Sequence, residues 1–374
     1  MPTPMNPPSS GQPSGFGSHG TSNDEDITMK KEHARVFFKS HEGSVTALAY
    51  SANGALVATG SDDSTFAVWS AHENASICRK EDHSEPISAL AFSPDNRILA
   101  SASQTGEIIL WNTNTWQEFG RIEPSTPAQS LAFTPDGALL LAGTSDGRLE
   151  MWNASEGANF APLTVHTANS AAMTFITFSR DGRLMATGGI ERDCVVWDLA
   201  SLRTPAPCTK TVGDGRIVFA AAFSPDGRRL VTSFDDGSCA VWDAQSGVAL
   251  VHIHEHTGPV WTVAFSPDGR RIASGSDDGT VKVVDSFTGA RVLELSDHSG
   301  TVNAVAFSPN GRFIASAAAD KLVVLWNAQT GAKEVTYNEH DDDVTQMMFG
   351  PDGRTLASGS LDGGVHIRVI PTVL

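Results

Sequence analysis

Val302-Asn303-Ala304-Val305-Ala306-Phe307 is an apolar-rich run stopped by the turn Ser308-Pro309-Asn310-Gly311. Phe313-Ile314-Ala315-Ser316 follows, turned at Ala319-Asp320. Leu322-Val323-Val324-Leu325-Trp326 comes next, ended by Ala328-Gln329-Thr330-Gly331, and Glu334-Val335-Thr336-Tyr337 leads on to His340. Short β-branched runs broken by Pro, Gly, Asn and Asp are the signature of strands joined by tight turns. The stretch therefore predicts four consecutive antiparallel strands.

The same unit recurs along the chain. Trp69, Trp111, Trp152, Trp197, Trp242 and Trp326 lie about 41 to 45 residues apart or at a multiple of that, mostly followed by Asp or Asn. Phe92-Ser93-Pro94-Asp95, Phe223-Ser224-Pro225-Asp226-Gly227 and Phe265-Ser266-Pro267-Asp268-Gly269 keep the period. A repeat of that length with a Trp-Asp mark means one four-stranded blade per repeat, stacked radially. Counting third strands gives eight, two of them by register alone, at Val284 and Arg368, where the Trp is lost. The chain stops just after the eighth third strand. Its missing fourth strand is assigned to Ala34-Arg35-Val36-Phe37-Phe38, so that both termini close one ring and no free edge remains. The expectation is an all-β, closed propeller of eight blades spanning 34–374, with seven blades as the alternative if blade 3 or blade 8 is misformed. Residues 1–33, rich in Pro, Ser and Gly, are expected to form a disordered tail.

These residues resemble the WD40-repeat, or β-transducin-like, propeller family over about Arg35 to Val369. The resemblance implies a buried His, Ser/Thr, Asp, Trp network in each blade. It maps in full onto His41, Thr59, Asp63, Trp69 and onto His298, Ser316, Asp320, Trp326. Other blades depart from it. Blade 2 has Thr105 where Asp is expected, and blade 3 has Pro124 and Ala142 for His and hydroxyl. Blade 4 offers Glu191 with a displaced His166, and blade 5 has Asp214 for His. Blades 6 and 8 keep His256, Ser274, Asp278 and His340, Ser358, Asp362 without the Trp.

Several apparent chemical motifs are better read as parts of this repeat. A Ser, His, Asp trio recurs in several blades, whereas a hydrolase needs one site with a cleft and oxyanion donors. Gly143-Thr144-Ser145-Asp146-Gly147 fits G-x-S-x-G but lies between strands, not at a strand-to-helix elbow. His252, His254 and His256 alternate along one strand, yet His256 belongs to a blade network. Asp62-Asp63, Asp235-Asp236 and Asp277-Asp278 are turn residues. No catalytic residue, cofactor or metal is therefore expected. Cys194 and Cys239 occupy an apolar slot three residues before a Trp; with Cys78 and Cys208 they lack metal-ligand spacing and are expected to be free thiols.

Lys and Arg number 26 against 43 Asp and Glu, a net charge of −17. That balance argues against a nucleic-acid partner. No leader-like or long apolar span is seen, so no membrane partner is expected, and a cytoplasmic or nuclear location is. The sequons at Asn74 and Asn153 are then chance matches.

The family resemblance places partner contacts on the face built by the fourth-to-first and second-to-third strand connections. Most positions there are small or polar. Ile217, Phe219, Pro259 and Trp261 instead form an apolar patch beside Asp235 and Asp277, and Trp261 falls outside the period of the other tryptophans. These six residues are the candidate partner site; packing inside the channel wall is the alternative for Trp261. The function expected is a non-catalytic scaffold that presents loop faces to proteins or peptides, as a monomeric propeller within a larger complex. The alternative is a substrate-recognition subunit of an enzyme complex such as a cullin-type ubiquitin ligase, although Trp197-Asp198-Leu199-Ala200 and Trp242-Asp243-Ala244-Gln245 lack the basic residue that such receptors carry. The terminal Thr372-Val373-Leu374 resembles a PDZ ligand but sits close to the last strand.

Overall fold

A computed structural model describes residues 36–39, 41–73, 75–154, 163–167, 171–189, 193–202, 204 and 209–370. The tail, Ala34, Arg35, Asn74, Ile190, Glu191, Cys208 and the last four residues lie outside them.

The strands form eight sheets of four antiparallel strands. In blade 7 they are Val302–Phe307, Phe313–Ala318, Val323–Asn327 and Lys333–Tyr337. Buried and half-buried residues mix on the inner strand, whereas the second strand is buried throughout and the third as far as Trp326, because neighbouring blades cover both faces. Such two-sided burial selects the Val, Ile, Leu and Ala found there. The outer strands are half-exposed and rich in charged residues.

Blade 8 consists of Val344–Phe349, Thr355–Ser360 and Gly364–Val369, completed by Val36–Lys39. Phe37 stands opposite His366 and Lys39 opposite Gly364. Each inner strand packs on the next around the whole ring, blade 8 on blade 1 included. Eight blades are thus closed by strands from both ends of the chain, and the seven-blade alternative falls. The two blades without a Trp keep the register of the rest: Ile272 faces Val284 and Leu356 faces Arg368, as Leu99 faces Trp111. At the seam, Gly363 adopts φ +76° in the turn. A Cβ there would collide with the carbonyl of His41, and the His41 N–H bonds the Gly363 carbonyl at 3.3 Å.

Apolar clusters lie between neighbouring blades. Blades 2 and 3, for example, share Ile98, Leu110, Phe133, Leu140 and Trp152. Blade 3, despite Pro124 and Ala142, keeps four strands and a Trp152 that is almost wholly buried.

One regularity positions the candidate site. In all eight blades the ladder between inner and second strands skips the second inner residue, a β-bulge. Bulges re-aim a side chain. The residues set apart in this way include Thr46, Ser88, Phe219, Trp261, Asn303 and Thr345.

Candidate partner-binding face

The buried networks fix the loops. In blade 7 the Trp326 indole N–H donates to Ser316 Oγ at 2.8 Å, and Ser316 Oγ lies 2.7 Å from His298 Nε2. His298 Nδ1 is 2.9 Å from Asp320, whose carboxylate also accepts the Ser299 N–H. A carboxylate only accepts, so Nδ1 carries the proton and Nε2 accepts from the serine hydroxyl. The serine is fully buried, which removes it from any substrate. Blade 6 repeats this with His256, Ser274 and Asp278 at 2.8 and 3.0 Å. Burial raises the Asp278 pKa, but hydrogen bonds from Thr280 and the Thr257 N–H outweigh it and hold the carboxyl at about 2. Burial also keeps His256 below its ordinary value and hence neutral.

Blade 1 differs in one link. His41 Nε2 lies 2.9 Å from Thr59, which accepts the Trp69 N–H, but Nδ1 meets Thr65 at 3.0 Å. Thr65 then donates to Asp63 at 2.6 Å, while Asp63 itself stays 3.5 Å from the ring.

The departing blades have substitutes that the repeat alignment missed. In blade 2, Glu107 rather than Thr105 meets His83, at 3.1 Å, and is clamped by Arg121. In blade 3, buried Glu150 accepts the N–H and hydroxyl of Ser125. In blade 4, His166 bonds the Leu202 carbonyl at 3.0 Å, while Trp197 still donates to Thr187. In blade 5, Arg216 bonds Ser238 at 2.6 Å, pairs with Asp214 and Asp236, and lies over the Phe234 ring at 3.9 Å. In blade 8, Arg368 occupies the Trp slot with 1% exposure and donates to Ser358 at 2.7 Å and to Glu339 at 2.8 Å. Glu107, Glu150 and Arg216 lie two or more positions away from the repeat slots, so only their charge marks them in the sequence, whereas Arg368 stands in the Trp slot itself.

Above these networks stands the ring of bulge residues. Thr46 donates to the Ile87 carbonyl at 2.7 Å, Ser88 to Ala128 at 2.6 Å, Asn303 to Val344 at 3.0 Å and Thr345 to Val45 at 3.1 Å. Each latches its blade to the first inner-strand residue of the next. Blade 3 uses Ser130, one position later, onto Met173. At blades 5 and 6 the bulge residues are Phe219 and Trp261. Their rings stack across the blade boundary, with centroids 4.3 Å apart and 25° between planes. Trp261 nevertheless keeps 41% of its surface exposed. The Trp is thus both packed against a neighbour and open to solvent.

The other four candidates gather around this pair. The Asp235 N–H bonds the Ile217 carbonyl at 3.3 Å, and the Asp277 N–H bonds the Pro259 carbonyl at 2.9 Å. Each acid is therefore tied to the residue two before one of the two rings. Ile217 and Pro259 are half-buried, and both carboxylates are exposed. Asp277 accepts the Thr301 hydroxyl at 2.7 Å. Among the described residues neither acid has an ion pair.

The two faces of the ring differ in charge. On the opposite face the turns balance acid with base, as in Asp226-Gly227-Arg228, Asp268-Gly269-Arg270 and Asp352-Gly353-Arg354. On the candidate face acids dominate, as in Glu81-Asp82 and Asp341-Asp342-Asp343. Two of its cations, Arg216 and Lys321, are held by groups of this same face: Arg216 by Asp214 and Asp236, Lys321 by the Asp341 carbonyl.

The remaining candidate chemistries stay apart. Among the described residues no group of three or more His, Cys, Asp or Glu is arranged to hold a metal. His252 and His254 are exposed on an outer strand. Cys78, Cys194 and Cys239 are free, and burial pushes the Cys239 thiol up to about 12. Asp198 and Asp243, which follow a Trp, close local turns onto the Ala200 and Ser246 N–H groups. No helix among the described residues is long and apolar enough to cross a membrane.

Fold and networks together define an eight-bladed WD40-type propeller, and comparison with known families agrees. The WD domain, G-beta repeat model matches residues 32–70, 206–243, 247–285, 289–327 and 331–367, and the anaphase-promoting complex subunit 4 WD40 domain model matches 90–181. The chain belongs to the WD40-repeat family. A search of the curated proteins finds no match. Among solved structures, the computationally designed Ika8 protein is similar at 26% identity and TM-score 0.77, over 90% of this chain and 100% of that one. Sqt1 of Saccharomyces cerevisiae is similar at 14% identity and TM-score 0.81, over 91% and 99%. Sqt1 of Chaetomium thermophilum, bound to the N-terminus of the ribosomal protein L10, is similar at 22% identity and TM-score 0.79, over 90% and 99%. At these identities the two Sqt1 likenesses concern the fold alone.

Proposed function

We propose that this chain is a non-catalytic scaffold that docks a protein or peptide partner on the blade 5–6 sector of its acidic face. The observation that carries this is the stacked Phe219–Trp261 pair. It replaces two of the polar latches used elsewhere in the ring and leaves a large indole surface in water. An exposed Trp on a rigid scaffold is the residue type most enriched at binding hot spots. A preformed ring also loses little conformational freedom on binding. A propeller of similar fold, bound to the N-terminus of a protein, supports a protein segment as the kind of partner.

The test is affinity purification from the native source with wild type and Trp261→Ala, both checked for a folded β spectrum and equal melting. A partner retained by wild type and lost by the variant supports the assignment. Partner sets that do not differ would move the site off this sector.

A further inference from the structure

The partner's contact chemistry can be argued from the loop beside the patch. There the chain packs one of its own guanidinium groups. Arg216 lies 3.9 Å above the Phe234 ring, with Asp214 and Asp236 at 3.2 and 3.5 Å. Ring and acids together hold it: the ring face is electron-rich, and the carboxylates neutralise the charge. The adjoining sector repeats the components without the cation. It has an exposed ring in Trp261, a second ring stacked beneath it in Phe219, and two exposed carboxylates, Asp235 and Asp277, in the flanking turns. It also lies on the face where acids dominate and where Arg216 and Lys321 are already engaged.

We propose that this sector receives an arginine-bearing basic segment of a partner protein, its guanidinium stacked on Trp261 and its charge matched by Asp235 and Asp277. This rests on the patch being a docking surface. Arginine suits the arrangement better than lysine because its planar group stacks and bonds carboxylates at once. The surrounding acidic loops attract the segment and speed its encounter. A neutral apolar segment would leave the acids unmatched, and a nucleic acid would be repelled.

The test uses the purified full chain and three fluorescent peptides of one alternating design, carrying arginine, citrulline or leucine at the variable positions. Binding is followed by anisotropy at low and high salt, with Asp268→Asn on the opposite face as control. The arginine peptide should bind, weaken with salt, and weaken about tenfold when citrulline replaces arginine, a difference on the scale of one matched charge contact. Trp261→Ala, Phe219→Ala and the Asp235→Asn, Asp277→Asn pair should each weaken it, and the control should not. Citrulline or leucine peptides binding as tightly as arginine would overturn the proposal. So would arginine binding indifferent to Trp261→Ala and to the paired Asp→Asn change. Self-association abolished by Trp261→Ala would assign the patch to a second copy and overturn it too. If a native partner depends on Trp261 but not on Asp235 and Asp277, docking stands and the arginine assignment falls. If nothing depends on Trp261, both fall.

Discussion

Buried polar groups govern the residue scale. In most blades the loops are anchored by a His, hydroxyl and carboxylate, or by a charged substitute, inside an apolar ring, and in blade 4 His166 bonds the Leu202 carbonyl instead. In blade 8, His340 and His366 meet edge to face at 4.4 Å in the field of Arg368, whose charge is matched by Glu339. Burial first, and then Arg368, depress both rings, His340 to about 4 and His366 to about 2. Both are neutral in the fold but gain a proton near 6.5 once unfolded. Their contribution is complete above 6.5 and is lost as pH falls from there toward those lower values. For His340 alone the shift amounts to about 3 kcal/mol. Denaturant midpoints measured across that window should therefore fall as the buffer is acidified, with the decline beginning below 6.5. His340→Gln should flatten part of the slope while lowering the midpoint at neutral pH. A midpoint independent of pH from neutral to 4 would contradict the buried, neutral assignment.

At the element scale, the closing strand matters most. Val36–Lys39 supplies the outer edge of blade 8, and among the described residues no other strand covers Gly364–Val369 on that side. Removing residues 1–39 exposes that edge and opens the seam at His41 and Gly363. The shortened chain should melt at a lower temperature, and amide exchange should rise first in Gly364–Val369. If blade 8 exchanges as slowly as blade 7 in that chain, closure does not depend on this strand.

Strand pattern and turn chemistry were sufficient for these elements. The blade 7 strands read from the sequence coincide with the observed ones to within two residues at their ends. Blades 6 and 8 kept register without Trp because the apolar period continues through Val284 and Ile367. What the sequence pattern did not disclose were the substitutes Glu107 and Arg216, and the bonds that Arg368, placed in the Trp slot by register, makes to Ser358 and Glu339. Their roles depend on where a long side chain reaches after folding, and a repeat alignment compares positions, not reach. The bulge was also hidden. It is a backbone irregularity, and it turns Phe219 and Trp261 into facing rings. That Trp261 broke the period was visible; that it stacks on Phe219 and still meets solvent was not.

For the whole molecule, the ring separates two surfaces of different charge, and on one of them the Phe219–Trp261 stack stands among the polar latches. A partner docked on that face would shield its backbone amides from exchange. Docking there is tested most directly by hydrogen–deuterium exchange of the complex with the partner recovered from the native source. New protection is expected in Val218–Phe223, in Val260–Phe265 and in the turns at Asp235 and Asp277, with the Pro225 and Pro267 turns of the opposite face unchanged. Protection confined to those opposite turns, or to the outer strands, would contradict docking there.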